Sequence, residues 1–366
     1  MLIEQAEALG EPLEDPLLLF GVLYSFGTAS YFAFNGDLLR EIASQFLTHA
    51  QKQSATFPLV MGQRLMGIAL LCTGDMVQGR ALSDRALALY DVAEHRPLAA
   101  RFGQDARVAA LSYRSLALWM LGYPNAALAD TEQALKDARE IGHIPTLMYA
   151  LGHASITHIY CGNYTAASAQ ADEVRALADK VGSSVWRAMG IMFQGWVMVL
   201  TGEATKAVES ISSAISALKL LEARLWAPSY LSYLASAYAK VGQFDDAQRY
   251  IRDALEAVER TKETWCEADV HRTAGEIPLM SPERDVAKAE ACFARALAVS
   301  RAQQAKSFEL RAAMSMARLW RDQGKRDEAR ELLAPVYGWF TEGFDSSDLK
   351  RARALLHELE KSGTWN

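Results

Sequence analysis

The sequence predicts an all-α chain, a solenoid of about eight helix pairs followed by one closing helix. Three observations predict this. Short turns centred on glycine recur at a period of about 40 residues. Each turn separates two stretches whose apolar residues fall at helical spacing. No linker or low-complexity segment divides the array, so residues 1–366 are expected to form a single domain.

The turns are read directly. "WMLGYPNAALA", "IYCGNYTAASA", "MVLTGEATKAVES" and "AKVGQFDDAQRY" place Gly122, Gly162, Gly202 and Gly242 forty residues apart. Each glycine is followed five residues later by an alanine: Ala127, Ala167, Ala207 and Ala247. Gly324 and Ala329 repeat the pattern, and the gap before them holds two units. The turn missing from that gap is "MSPERDVAKAEACFARAL", where Ser281-Pro282 replace the glycine and Ala289 takes the alanine place. Two earlier turns are expected at Gly36 and Gly74.

Residues 229–261 show the physics of one unit. Leu231, Leu234, Ala235 and Tyr238 form a helical stripe. Gly242 can adopt the left-handed conformation that ends a helix. Asp245 and Asp246 then fall in the first turn of the next helix, where the helix dipole favours carboxylates. Small residues at 247 and 254 let the paired helices approach closely. The equivalent pairs are Ala127 with Ala134, Ala207 with Ala214, and Ala289 with Ala296. At the 122 turn, Pro124 suits a helix start, where its missing N–H is not needed.

These residues resemble the tetratricopeptide repeat (TPR). Ala235, Tyr238, Gly242, Phe244, Ala247, Ala254 and Leu255 occupy its signature places. The period exceeds the usual value of about 34, which implies slightly longer helices. The helix pairs are expected over 16–340. A charged capping helix, N-capped by Ser346 or Ser347, is expected over 347–361. Residues 1–10 read as the last turns of a preceding repeat helix. The chain is therefore expected to be the C-terminal part of a longer protein.

Composition narrows the function. The net charge is −6 and no region is strongly basic, so nothing supports nucleic-acid binding. Cys72, Cys161, Cys266 and Cys292 are widely spaced, as in a cytoplasmic protein with reduced thiols. Residues 16–36 carry no charge, but Pro, Gly and hydroxyl residues interrupt them and acidic residues flank them. A buried repeat helix is expected there, with no membrane span.

Three stretches carry a closer resemblance: "HRPLAARFGQDARVAALSYRSLALWMLGYPNAALA", "ETWCEADVHRTAGEIPL" and "LLAPVYGWFTEGFDSSDLKRARALLHEL". Together they look like the TPR-rich C-terminal region of bacterial predicted ATPase or class III adenylate/guanylate cyclase multidomain proteins. The resemblance implies a sensor or scaffold arm that works with N-terminal domains of the same parent protein. It carries over no catalytic residue, because the Walker A motif and the cyclase aspartates are absent from this sequence. No cofactor is expected.

Candidate sites follow from the repeat register. It turns Arg64, Ser112, Leu116, Trp119, Tyr149, Ile156, Tyr160, Met192, Trp196, Ser232, Ser236 and Arg318 toward the concave face. An aromatic and Met-rich groove suits a peptide or protein segment. The competing reading is that the longer helices bury these side chains as core. His153 and His158 are five apart and do not share a face as a zinc pair would. His95 and His143 are expected near helix ends. His271 with Glu267 or Glu276 is a remote acid–base candidate. Arg101, Arg107 and Arg114 form a short cationic row, read as a solvated face. The resulting expectation is a non-catalytic interaction scaffold. The alternatives are a stand-alone peptide-binding adaptor and, remotely, an all-helical enzyme.

Overall fold

A computed structural model describes residues 16–52 and 56–360. The remnant helix expected over 1–10 lies outside them. Among the described residues there are eighteen α-helices and no strands. Sixteen of them form eight antiparallel pairs, one short helix stands between pairs, and the last closes the array. The pairs are α1 (Pro16–Ala33) with α2 (Gly36–Gln51) and α3 (Thr56–Cys72) with α4 (Met76–Leu89). The sequence did not announce the next element, a four-residue helix α5 (Val92–His95) running into a 3-10 turn (Arg96–Ala100). Then come α6 (Ala106–Met120) with α7 (Pro124–Ile141), α8 (Ile144–Cys161) with α9 (Tyr164–Val181), and α10 (Ser184–Thr201) with α11 (Ala204–Leu220). The last three pairs are α12 (Ala227–Lys240) with α13 (Phe244–Thr261), α14 (Glu267–Met280) with α15 (Val286–Ala302), and α16 (Lys306–Asp322) with α17 (Arg326–Gly338). Helix α18 (Ser347–Glu360) closes the array.

The alanine pairs lie where the helices touch. Ala127, Ala207, Ala214, Ala247, Ala254, Ala289 and Ala296 have no exposed surface, and Ala134 has 2 %. Gly122 takes a left-handed φ of +93° at the end of the α6–α7 turn's first helix. Asp245 and Asp246 occupy the first turn of α13. The turn expected at Gly36 forms differently. Phe34 takes the positive φ, Asn35 caps α2 by accepting from Leu38 N, and Gly36 begins the helix. A Cβ at Gly36 would stand 2.8 Å from Thr73 and 3.1 Å from the Lys262 carbonyl, so close approach explains this glycine. Helix α1 packs Phe20, Leu23 and Tyr24 inward and leaves Leu18, Val22 and Phe26 exposed on its other side. No described helix is long and apolar enough to cross a membrane.

The stack winds through a full superhelical turn and meets itself. The carboxyl end of each early first helix abuts the amino end of a first helix five units later. Phe32 O accepts from Arg224 N (2.7 Å) and Leu225 N (3.1 Å), beside α12. Cys72 O accepts from Thr264 N (3.0 Å) and Trp265 N (3.3 Å), beside α14. Trp119 O accepts from Ser307 Oγ (2.5 Å) in α16. Around Gly162, at the end of α8, a Cβ would come within 2.7 Å of Ser347, the first residue of α18. Carbonyls left over at one helix end are thus met by donors left over at another, and the opposed dipole ends attract. At the α7 amino end, the Glu342 carboxylate accepts from Asn125 N (2.9 Å) and Ala126 N (3.1 Å).

Candidate functional site

The self-contact divides the expected groove. Its middle is filled by the protein's own side chains. Trp119 stacks on Tyr160 with ring centres 4.4 Å apart, and the Phe308 ring meets both edge-on. Ser112, Leu116 and Ile156 are buried on the same helices, α6 and α8. Met192 and Trp196 have no exposed surface, and Trp196 stacks on Tyr233 at 4.6 Å. Of the twelve candidates, these seven side chains (Ser112, Leu116, Trp119, Ile156, Tyr160, Met192 and Trp196) are core or seam. A superhelix that closes on itself leaves them no open face. The other five line two hollows at opposite ends of α8.

The first hollow is polar, with a volume of about 240 Å³, and takes in Ser232, Ser236 and Arg318. It lies between α8, α10, α12, α14, α16 and α18, so both sides of the seam contribute to its wall. Five cationic side chains, Lys240, Arg272, Arg311, Arg318 and Arg351, face three carboxylates, Asp269, Glu276 and Asp348. Arg272 bonds Asp269 (2.7 Å) and Glu276 (2.6 Å). Arg311 bonds Asp348 (2.7 Å) and the Tyr160 carbonyl (2.9 Å), and its guanidinium lies 4.7 Å from the Trp119 ring centre. Burial alone would raise the Asp269 carboxyl, but Arg272 and Arg311 hold it below its ordinary value. Lys240 donates to Val199 O (2.6 Å), and burial lowers its pKa.

Arg318 differs from the other arginines here. Among the described residues its hydrogen-bond contact is the Met314 sulfur at 3.9 Å. Burial lowers its pKa, and Arg351, Arg272 and Arg321 add to the effect against the pull of Glu276. With two more cations than carboxylates, the hollow presents a positive field around a guanidinium that no described carboxylate pairs. Such a place attracts an anion. Sequence reading found Ser232, Ser236 and Arg318 but missed Asp269, Arg272, Arg311, Asp348 and Arg351. The available signal was the i, i+4 spacing of Arg272 and Glu276, and charges standing on otherwise apolar first helices.

The second hollow is apolar, about 190 Å³, and takes in Arg64 and Tyr149. Tyr149 and Ile159, one in the wall of each hollow, are separated by about 15 Å along α8.

The remaining candidates resolve as structure. His153 is buried, stacked on Tyr149 at 4.2 Å with Nδ1 at 2.9 Å from Tyr149 O, and burial lowers its pKa to about 4. The acidic neighbour of His271 is Glu267 (3.7 Å). Glu276 is held by Arg272 and Ser315, so the acid–base pairing of His271 with Glu276 does not form. The expected solvated row is partly internal: Arg107 pairs with Asp137 (2.9 Å), and Arg114 with Asp130 (2.6 Å) and Asp84 (2.8 Å). The four cysteines are free thiols; Cys72, Cys161 and Cys266 are buried, and burial pushes Cys161 up to about 12.

This architecture has solved counterparts. The structure of a Rap protein complexed with Competence and Sporulation Factor superposes with a TM-score of 0.64 at 13% identity, over 97% of this chain and 94% of that one. The chain shares its fold. NprR in complex with its cognate peptide NprX gives 0.60 at 12% identity, over 91% and 92%. The apo form of the quorum sensor NprR from B. thuringiensis gives 0.52 at 13%, over 92% and 91%. No family model matches the chain, and no curated protein matches it. At these identities the likeness is one of fold: a TPR-like helical-repeat solenoid.

Proposed function

We propose that this chain is a non-catalytic scaffold that holds an acidic peptide or protein segment in the polar hollow. The observation that carries the reading is the surplus of cations there, with Arg318 paired to no described carboxylate. Two solved structures of the same fold are complexes with a peptide or signalling factor, which supports a peptide as the ligand. Ser232, Ser236 and Arg318 are the proposed contacts, joined by Arg272 and Arg351. The three distinctive sequence stretches support a finer proposal. In it the chain is the regulatory arm of a cytoplasmic signalling ATPase or nucleotide cyclase whose N-terminal domains respond to the bound peptide.

The test is fluorescence anisotropy with labelled acidic, neutral and basic hexapeptides. Acidic peptides are expected to bind best. Arg318→Ala should weaken them by about tenfold or more, since a charge-assisted contact contributes roughly 1.5–3 kcal/mol. Equal binding of all three classes, or unchanged binding by Arg318→Ala, refutes the reading. The regulatory-arm proposal is tested by the size of the native polypeptide in its own cells. A band far above 40.3 kDa supports it, and a band at that mass favours the stand-alone adaptor.

A further inference from the structure

The apolar hollow contains a charge that no other described group neutralises. Arg64 is 1 % exposed, yet its Nε and Nη1 have no hydrogen-bond acceptor among the described residues. Its guanidinium lies 5.3 Å from the centre of the Tyr24 ring. No aspartate or glutamate lines the hollow. Tyr24, Tyr31, Phe102, Tyr149 and Trp186 supply ring surface around it. A buried guanidinium without a counter-ion is among the least favourable groups a core can hold, and burial with one partner missing is strongly destabilising. The described contacts of the Arg64 guanidinium are with Tyr24, a neutral side chain. The neighbours of Arg64 on α3, Val60, Met61, Leu65 and Ile68, are buried apolar residues.

We propose that this hollow is a binding site for a small organic carboxylate with one aromatic ring. The carboxylate would accept from the Arg64 guanidinium, whose charge and planar set of N–H donors suit carboxylate recognition. The ring would lie against the aromatic wall. The size fits: about 190 Å³ is somewhat more than the ~150 Å³ apolar cavity known to admit benzene. This site is separate from the polar hollow and does not depend on the peptide reading.

The experiment is thermal denaturation of the whole chain with millimolar phenylacetate, and with phenylacetamide as its neutral analogue. Phenylacetate is expected to raise the midpoint and phenylacetamide to leave it nearly unchanged. Arg64→Met should fold at least as stably as the parent, because it replaces an unpaired buried charge with an apolar chain, and it should lose the response to phenylacetate. Arg318→Met, in the other hollow, should keep that response. The proposal is overturned by equal shifts from the acid and the amide, by a response that survives in Arg64→Met, or by one that disappears in Arg318→Met. A wild-type chain indifferent to phenylacetate, benzoate and phenylpropionate alike also overturns it.

Discussion

Glu263 offers a direct energetic test of the superhelical seam. Its side chain has no exposed surface. Both carboxyl oxygens stand within 3.0 Å of Trp226 N, and Trp265 Nε1 donates to Oε1 at 2.9 Å. Trp265 N reaches across to Cys72 O, so this carboxyl braces the loops on which the seam is built. Burial dominates and raises its pKa to about 8, against the opposing pull of the Trp265 and Trp226 donors. In the unfolded chain the group titrates near its ordinary value of about 4.3. The folded state therefore holds a proton that the unfolded state releases between those two values. Stability is fully present below the lower value and is lost as pH rises through the higher one.

The slope is about 1.4 kcal/mol per pH unit, so going from about pH 5 to about pH 8 removes on the order of 4 kcal/mol. Glu263→Gln keeps the shape and an acceptor oxygen but does not titrate. At about pH 5 it should be less stable than the parent by about 1 kcal/mol, the value of one imperfect hydrogen bond. By about pH 8 the order should reverse, because only the parent has become less stable at this site. The assay is urea denaturation of both proteins across that range. Parallel curves, with the same difference at every pH, would refute the argument that Glu263 is buried as a neutral acid.

Two further perturbations probe the seam at other points. Gly122→Val places a branched side chain at a φ of +93° and a Cβ 2.5 Å from Trp339, so it should lower stability by about 3 kcal/mol or more in a denaturant titration. Glu342→Ala removes the carboxylate that meets Asn125 N and Ala126 N, and a loss of about 1 kcal/mol by the same measurement is expected. An unchanged midpoint in either variant would place the α17–α18 connection away from α7.

The pairing of helices was legible because it is local. A glycine turn, a carboxylate in the next first turn and an alanine five residues on all act within one unit, and Gly242, Asp245 and Ala247 sit as that logic requires. The pitch of the superhelix was not legible. It arises from small rotations added over five units, and no residue records it alone. That is why Trp119 and Tyr160 lie under Phe308 from the next turn instead of in an open groove. The residues that mark the seam stand out in the sequence for another reason. Trp339, Glu342 and Gly343 in the third distinctive stretch contact Gly122 to Ala126 in the first. Glu263 and Trp265 open the second. The stretches that give the sequence its family resemblance are largely those that close the coil.

That closure bears on how a bound peptide would act under the proposed function. Ile159 and Tyr164 reach the polar hollow from the fourth unit, and Asp348 and Arg351 reach it from the closing helix docked against that unit. Arg311 already ties the two sides, through Asp348 on one and Tyr160 O on the other. A ligand touching both walls gains interactions in the closed coil that an opened coil cannot offer. The difference in affinity between the two arrangements is the only means by which binding can shift their balance. Arg318, on one wall, then serves affinity, whereas the bond from Arg311 to the Tyr160 carbonyl, which crosses the seam, sets how much of that affinity depends on closure. A variant at Arg318 should weaken binding to the closed and the opened coil alike. Removing the Arg311 contact with the Tyr160 carbonyl should weaken the coupling between binding and closure, and that distinction separates a regulatory arm from a passive adaptor.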